Sequence, residues 1–186
     1  MASKRIFDGF TMFQLIIIAM MGALGIATKP VIVPLTHIIT GPLYIPGGAV
    51  AGGFYMMWIV LGASLVNKRG AATLIALVQA IVVITMGVYG THGVISIITY
   101  ILPGFMVDML LFIFKRRGDT LIDCFLGGIV ANISGTYLSN LVFFKLPLIS
   151  LILSLSSAAL SGGLGGIIAF NIMKGLKKLD IQGLES

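Results

Sequence analysis

Six apolar stretches, at 11–28, 48–66, 71–89, 93–114, 120–142 and 149–173, occupy most of this 186-residue chain. Each approaches the length a helix needs to cross a hydrocarbon core of roughly 30 Å, which is about 20 residues. A backbone inside that core has no water to bond to, so it must satisfy its own hydrogen bonds as a helix or a closed barrel. The stretches lack the alternation of period two that barrel strands require. The expected fold is therefore an all-α membrane protein, a single domain over residues 1–186 with six transmembrane helices. A mean hydropathy of +1.11 agrees with this. With 58% hydrophobic and only 10% charged residues, the chain falls outside the range of soluble domains.

The basic residues give the orientation. If the N-terminus is cytoplasmic, the inner segments carry Lys4, Arg5, Lys68, Arg69, Lys115, Arg116, Arg117, Lys174, Lys177 and Lys178, and the outer ones only Lys29 and Lys145. This asymmetry predicts both termini in the cytoplasm of a prokaryotic plasma membrane. It also accounts for the high pI without nucleic acid as a partner. The first stretch follows Lys4 and Arg5 but lacks a clear small-x-small cleavage site, so it reads as a retained helix. Cys124, the single cysteine, has no partner for an internal disulfide.

The inner connections at 67–70 and 115–119 are tight and charged. The first outer connection, 29–47, is different in kind. Its prolines, Pro30, Pro34, Pro42 and Pro46, oppose a regular helix, yet it is apolar. It is expected to be a long loop folded back over the bundle or over a ligand. The glycine-rich stretches Gly47-Gly48, Gly52-Gly53, Gly127-Gly128 and Gly162-Gly163-Leu164-Gly165-Gly166 read as close helix contacts. On the first helix Ala19, Ala23 and Ala27 recur at i, i+4 and i+8 and form a small-residue stripe, widened by Gly22. Spacing alone favours packing of that stripe within the chain over docking of a separate protein.

Two stretches carry a resemblance: "GGFYMMWIVLGASLVNKRGAATLIALVQAI" at 52–81 and "MGVYGTHG" at 86–93. Together with six short helices, Ala-x-x-x-Ala on the first of them and the apolar first outer loop, they resemble the substrate-binding S component of an energy-coupling-factor (ECF) vitamin transporter. The chain is most similar to the S components for thiamin or its hydroxymethylpyrimidine precursor, whose older family name refers to cobalt permeases. The resemblance implies an ABC-type importer in which a membrane-embedded T component and two ATPase subunits supply the energy. The chain itself is then no enzyme, in keeping with the lack of a Walker-type phosphate loop. The resemblance assigns T-component docking to Ala19 and Ala23, with Ala27 extending the stripe. It further implies capture of a solute outside, closure of the first loop as a lid, and toppling of the bundle to release the solute inside.

Polar side chains in the outer half are the candidates for solute binding, because lipid-facing polar groups are costly. They are Gln79 and Tyr89 on the third helix, His92 after it, Tyr100 on the fourth, Asn132, Thr136 and Asn140 on one face of the fifth, and His37 and Tyr44 from the first loop. The stripe of Asn132, Thr136 and Asn140 serves equally well as hydrogen-bonding glue between helices. Two histidines in separate loops fall short of a metal site, and no cofactor is expected. No carboxylate lies in the outer half, so a thiazolium cation would lack a counter-charge, whereas a neutral pyrimidine would not need one. Lys29 and Lys145 leave open an anionic ligand such as a carboxylated tetrapyrrole. Asp108, an acid within the fourth helix, is either functional or paired with a nearby Lys or Arg. It is the feature on which the alternative of a stand-alone secondary transporter rests. An intramembrane enzyme would need an acid/base pair that the sequence lacks.

Overall fold

The computed structural model describes residues 9–43, 45–86 and 95–184. They form six helices: α1 (Met12–Thr40), α2 (Gly47–Val66), α3 (Ala71–Met86), α4 (Ile95–Ile113), α5 (Leu121–Ser139) and α6 (Leu148–Leu184). A short 3-10 turn, Gly41–Leu43, joins α1 to α2, and a π-helical turn, Asn140–Phe144, ends α5. Among these, Met12–Thr40, Gly47–Val66, Leu121–Phe144 and Leu148–Leu179 are long and apolar enough to cross a membrane, and α3 and α4 are shorter apolar helices.

The helices close a ring in the order α1, α2, α6, α5, α4, α3 and back to α1, with α2 also touching α5, α3 and α4. α2 is the interior helix. Of its most apolar window 72% is buried, against 28% for α1. Ile59 and Leu61 of α2 are enclosed together with Ile75 of α3 and Val107 of α4. Where α2, α5 and α6 cross, glycine lets backbone touch backbone. Gly53 lies on Gly165, Gly128 on Gly162, and Gly166 on the Cys124 carbonyl, so closely that a Cβ at any of these positions would collide with main chain.

Both basic turns are built alike. Asn67 takes a left-handed conformation after α2 and Lys115 does so after α4, and each turn ends on a positive-φ glycine, Gly70 or Gly118. Asp108 of α4 reaches across to the first of them. Its carboxylate accepts hydrogen bonds from the Gly70 N–H (3.2 Å), the Thr73 N–H (2.8 Å) and the Thr73 hydroxyl (2.6 Å). It thus caps the start of α3 from a neighbouring helix, its charge met by two backbone N–H groups and a hydroxyl, with no lysine or arginine paired to it among the described residues. Arg116 instead pairs with the buried Asp123 at 2.8 Å, tying the second turn to α5.

The connection expected as a loop over 29–47 is largely helix. α1 continues unbroken through Pro30 and Pro34 to Thr40. Each proline removes one backbone donor, but an unwound chain in apolar surroundings would orphan many more groups. Nearby hydroxyls add local bonds: Thr28 donates to the Leu24 carbonyl at 3.0 Å, and Thr36 lies 2.9 Å from the Val33 and 3.0 Å from the Gly47 carbonyl. The Thr36 contact, with the close packing of Gly47 on His37, lays the end of α1 against the start of α2. The result is a helical hairpin in place of a free lid. At 29 residues, α1 is about 43 Å long at roughly 1.5 Å per residue, which is longer than a simple span requires.

Candidate functional site

At the end of the bundle opposite the basic turns, all six helices contribute to one cavity of about 330 Å³. α1 supplies Gly25 and Lys29, α2 Tyr55, α3 Gln79, α4 Thr99 and Tyr100, the end of α5 Thr136, Ser139 and Asn140, and α6 Ser154, with Phe143 and Phe144 from the π-helical turn. Antiparallel helices bring these distant sequence positions to one level. The wall is mixed, with aromatic faces and hydroxyls and amides spaced around it, as small-molecule sites commonly are.

Lys29 is the one charged residue in the described lining. Its Nζ donates to the Tyr100 hydroxyl at 2.7 Å and lies 4.3 Å from the centroid of the Tyr100 ring and 5.0 Å from that of Tyr55. The two rings bracket the ammonium. Tyr55 in turn donates its own hydroxyl to the Gly48 carbonyl at 2.8 Å, which fixes the ring against α2. Gln79 is only 4% exposed. Its carboxamide is pressed against Gly25, where no side chain stands in the way. Its Nε2 has no hydrogen-bond partner among the described residues.

The structure brings together part of the expected set. Gln79, Tyr100, Thr136 and Asn140 line the cavity. Tyr89, His92 and Tyr44 lie outside the described residues. Asn132 does not reach the cavity: it is fully buried, and its Nδ2 donates to the Ala49 carbonyl of α2 and the Ala158 carbonyl of α6, both at 2.9 Å. Gly52 provides the room for it. Of the shared polar face on α5, the inner residue therefore joins helices while the outer two meet the cavity. Asn140 also closes the turn after α5, since its side-chain oxygen accepts from the Leu146 N–H at 2.8 Å. His37 is exposed on α1 and accepts from the Gly47 N–H at 3.4 Å, so it belongs to the hairpin and not to the cavity.

Two lining residues had weaker signals in the sequence. Tyr55 sits amid apolar residues, and only the need of a buried phenol for a hydrogen-bond acceptor marks it out. Lys29 stands at the start of a proline-bearing stretch that reads as a loop, which conceals that it faces inward from a helix. Trp58, by contrast, packs against the core away from the cavity, with its indole nitrogen lacking a partner among the described residues.

Ala19, Ala23 and Ala27 are all exposed. Within the chain, α1 packs through other residues, Gly22 against Val78 and Gly25 against Gln79. Spacing could not tell one face from the other. The alanines do not pack within the chain, and large apolar residues flank them on the open face, among them Ile16, Met20 and Leu24.

Two comparisons bear on this arrangement. A solved structure described as "Crystal structure of an S-component of ECF transporter" superposes with a TM-score of 0.77 at 16% sequence identity, covering 93% of this chain and 88% of that one. The fold is thus that of an ECF S component. No curated protein matches the sequence. The model of the family described as "ABC-type cobalt transport system, permease component" matches residues 13–134. With about two thirds of its length so matched, the chain belongs to the family of permease components of ABC-type cobalt transport systems.

Proposed function

We propose that the protein is the substrate-binding S component of an ECF-type importer and captures a small ring-bearing organic solute. The observation that carries this reading is the cavity of about 330 Å³, walled by all six helices and lined with tyrosine rings, hydroxyls and amides. In this reading all six helices span the plasma membrane of a prokaryote. Both termini and the basic turns are cytoplasmic, following the charge asymmetry, and the cavity opens outward. A T component and two ATPases supply the energy, and the exposed stripe of Ala19, Ala23 and Ala27 is where the T component docks. A small, smooth surface allows close approach without interlocking side chains.

The family description speaks of cobalt. A bare divalent cation suits this cavity poorly, because the Lys29 ammonium lies in its wall and the described residues hold no group of three His, Cys, Asp or Glu that could ligate one. The same ammonium disfavours thiamin, the cation among the solutes that the resemblance implies. Hydroxymethylpyrimidine, a single neutral ring, is compatible in size and in hydrogen bonding. A tetrapyrrole, with four linked pyrrole rings, makes a far larger demand on a cavity of about 330 Å³. A proton-coupled carrier would rely on Asp108, which is already engaged by three donors at the start of α3.

The test is co-expression with T-component and ATPase subunits followed by affinity purification of the assembly. Recovery of all the subunits with the wild type, and their loss with Ala23→Trp while that variant still purifies folded, is the expected outcome. Failure of the wild type to assemble, or undiminished assembly of Ala23→Trp, would count against the docking assignment.

A further inference from the structure

At the end of the bundle that carries both basic turns lies a second hollow, of about 320 Å³. Lys68 and Arg69 line it from the turn after α2, and Lys115, Arg116 and Arg117 from the turn after α4, around a single carboxylate, Asp108. A bias of basic residues toward the inner side directs insertion and asks nothing more of them. It does not ask that five cations from two separate turns be gathered round one hollow. The next acid along the chain, Asp119, stands outside the lining.

The two turns are held in place by the bundle. Asp108 of α4 accepts from the Gly70 N–H and so fixes the first. In the second, Asp123 of α5 holds Arg116 at 2.8 Å, and the Ser64 hydroxyl of α2 lies 2.5 Å from the Gly118 carbonyl. Lys115 stands at φ 52°, a left-handed conformation that disfavours any residue with a Cβ and that helix ends usually give to glycine. Some of the charge in the lining is already met: Asp108 by its three donors, Arg116 by Asp123, and Lys68 by the Gly9 carbonyl at 3.2 Å. Lys115 and Arg117 are exposed and enter no ion pair among the described residues. Arg69 lays its guanidinium over the Phe112 ring, 5.2 Å from the centroid. That ring belongs to an apolar run, Phe112, Ile113 and Phe114, exposed at the end of α4 directly beside the hollow. A soluble anion has no use for such a run. An anionic phospholipid matches both parts, with its phosphate at the level of the cations and its acyl chains against the apolar side chains next to them.

We propose that this hollow seats the phosphate headgroup of an anionic phospholipid of the inner leaflet, received by Arg69, Lys115 and Arg117, with the acyl chains along the exposed apolar residues at the end of α4. This rests on the reading of the basic turns as the cytoplasmic ends of membrane spans. It goes beyond that reading in assigning a second ligand, separate from the solute, and the residues that hold it.

The experiment strips the full chain of lipid in detergent and titrates it with phosphatidylglycerol or with zwitterionic phosphatidylethanolamine of the same acyl chains, counting retained lipid by native mass spectrometry. Phosphatidylglycerol is expected to bind about tenfold or more tighter, since each cation beside a phosphate contributes roughly fivefold. Lys115→Gly with Arg117→Gln should lose most of that preference. Lys174→Gln with Lys178→Gln removes the same two charges from the exposed end of α6 and should keep it. Glycine is at home at φ 52°, so Lys115→Gly alone should melt no lower than wild type while weakening phosphatidylglycerol about fivefold. That single variant keeps the test decisive if the double one fails to fold. Excess sn-glycerol 3-phosphate, a headgroup without chains, should leave the lipid in place. Equal retention of the two lipids by wild type, or equal loss of preference in both double variants, would overturn the assignment. So would displacement by sn-glycerol 3-phosphate, which marks a site for soluble anions, or by assembled T-component and ATPase subunits, which marks a protein contact. The measurement in detergent does not depend on sidedness. Selective retention by a chain whose position 117 labels from outside would refute the orientation and the leaflet, whereas unselective retention by a chain labelled from inside would refute the lipid site alone.

Discussion

Single side chains in this protein do one of two things, and the contacts separate them. Asp108, Asn132 and the Arg116–Asp123 pair hold helices together, whereas Lys29, Gln79 and Tyr100 face a space. Asp108→Ala would strip three donors at the start of α3 of their acceptor. Chemical unfolding in detergent should show a loss of about 1–3 kcal/mol, with solute binding at the far end unchanged. Asn132→Ala removes two interhelical bonds and should cost about 1 kcal/mol, given an average near 0.6 kcal/mol for each such contact in a membrane bundle. If Asn132→Ala abolished solute binding without loss of stability, its assignment as a helix-joining residue would be wrong. Side-chain roles were only half legible in the sequence. The i, i+4, i+8 spacing sets three polar residues on one face of α5, but depth along the helix decides which of them meets the cavity, and depth depends on how α5 slides against α2 and α6.

The helices themselves were legible wherever apolar length set them. All six begin within two residues of the expected position, because polar or charged turns and glycine mark those starts. The second half of α1 was not legible, because proline is read by its behaviour in water. In lipid or in a protein interior the choice is between one lost bond and many, and the helix wins. Of the glycine pairs, Gly53, Gly128 and Gly162 make the expected close contacts while Gly48 and Gly127 meet only ordinary neighbours, and the consequence of the close ones is steep. Gly128→Leu would drive a side chain into the Gly162 backbone, so α5 and α6 could not cross at their present distance. That variant should yield no monodisperse protein on size exclusion, whereas Gly175→Leu on α6, where a Cβ meets nothing within 4 Å, should behave as wild type.

For the whole molecule, the proposed orientation makes the ten inner cations and two outer ones a prediction about accessibility. In a background retaining the buried Cys124, Arg117→Cys should react with a membrane-impermeant maleimide only in inverted vesicles, and Lys145→Cys only in intact cells. Labelling of both from the same side would refute six spans, since the two positions flank α5. Cys124 itself, fully enclosed, should remain silent in either preparation. The glycine contacts that draw α2, α5 and α6 together have a mechanical corollary. Backbones that touch have no layer of side chains between them to repack, so those three helices must move as a single body. The compliance of the molecule then lies in α1, which is the least enclosed of the long helices. One face of α1 carries the exposed alanines, and on a neighbouring face Lys29 enters the cavity wall. A load on the alanines is therefore expected to shift Lys29 with them, since both stand on one continuous helix. If the proposed T component docks there, α1 acts as a lever, and that partner has no need to reach the solute in order to loosen it.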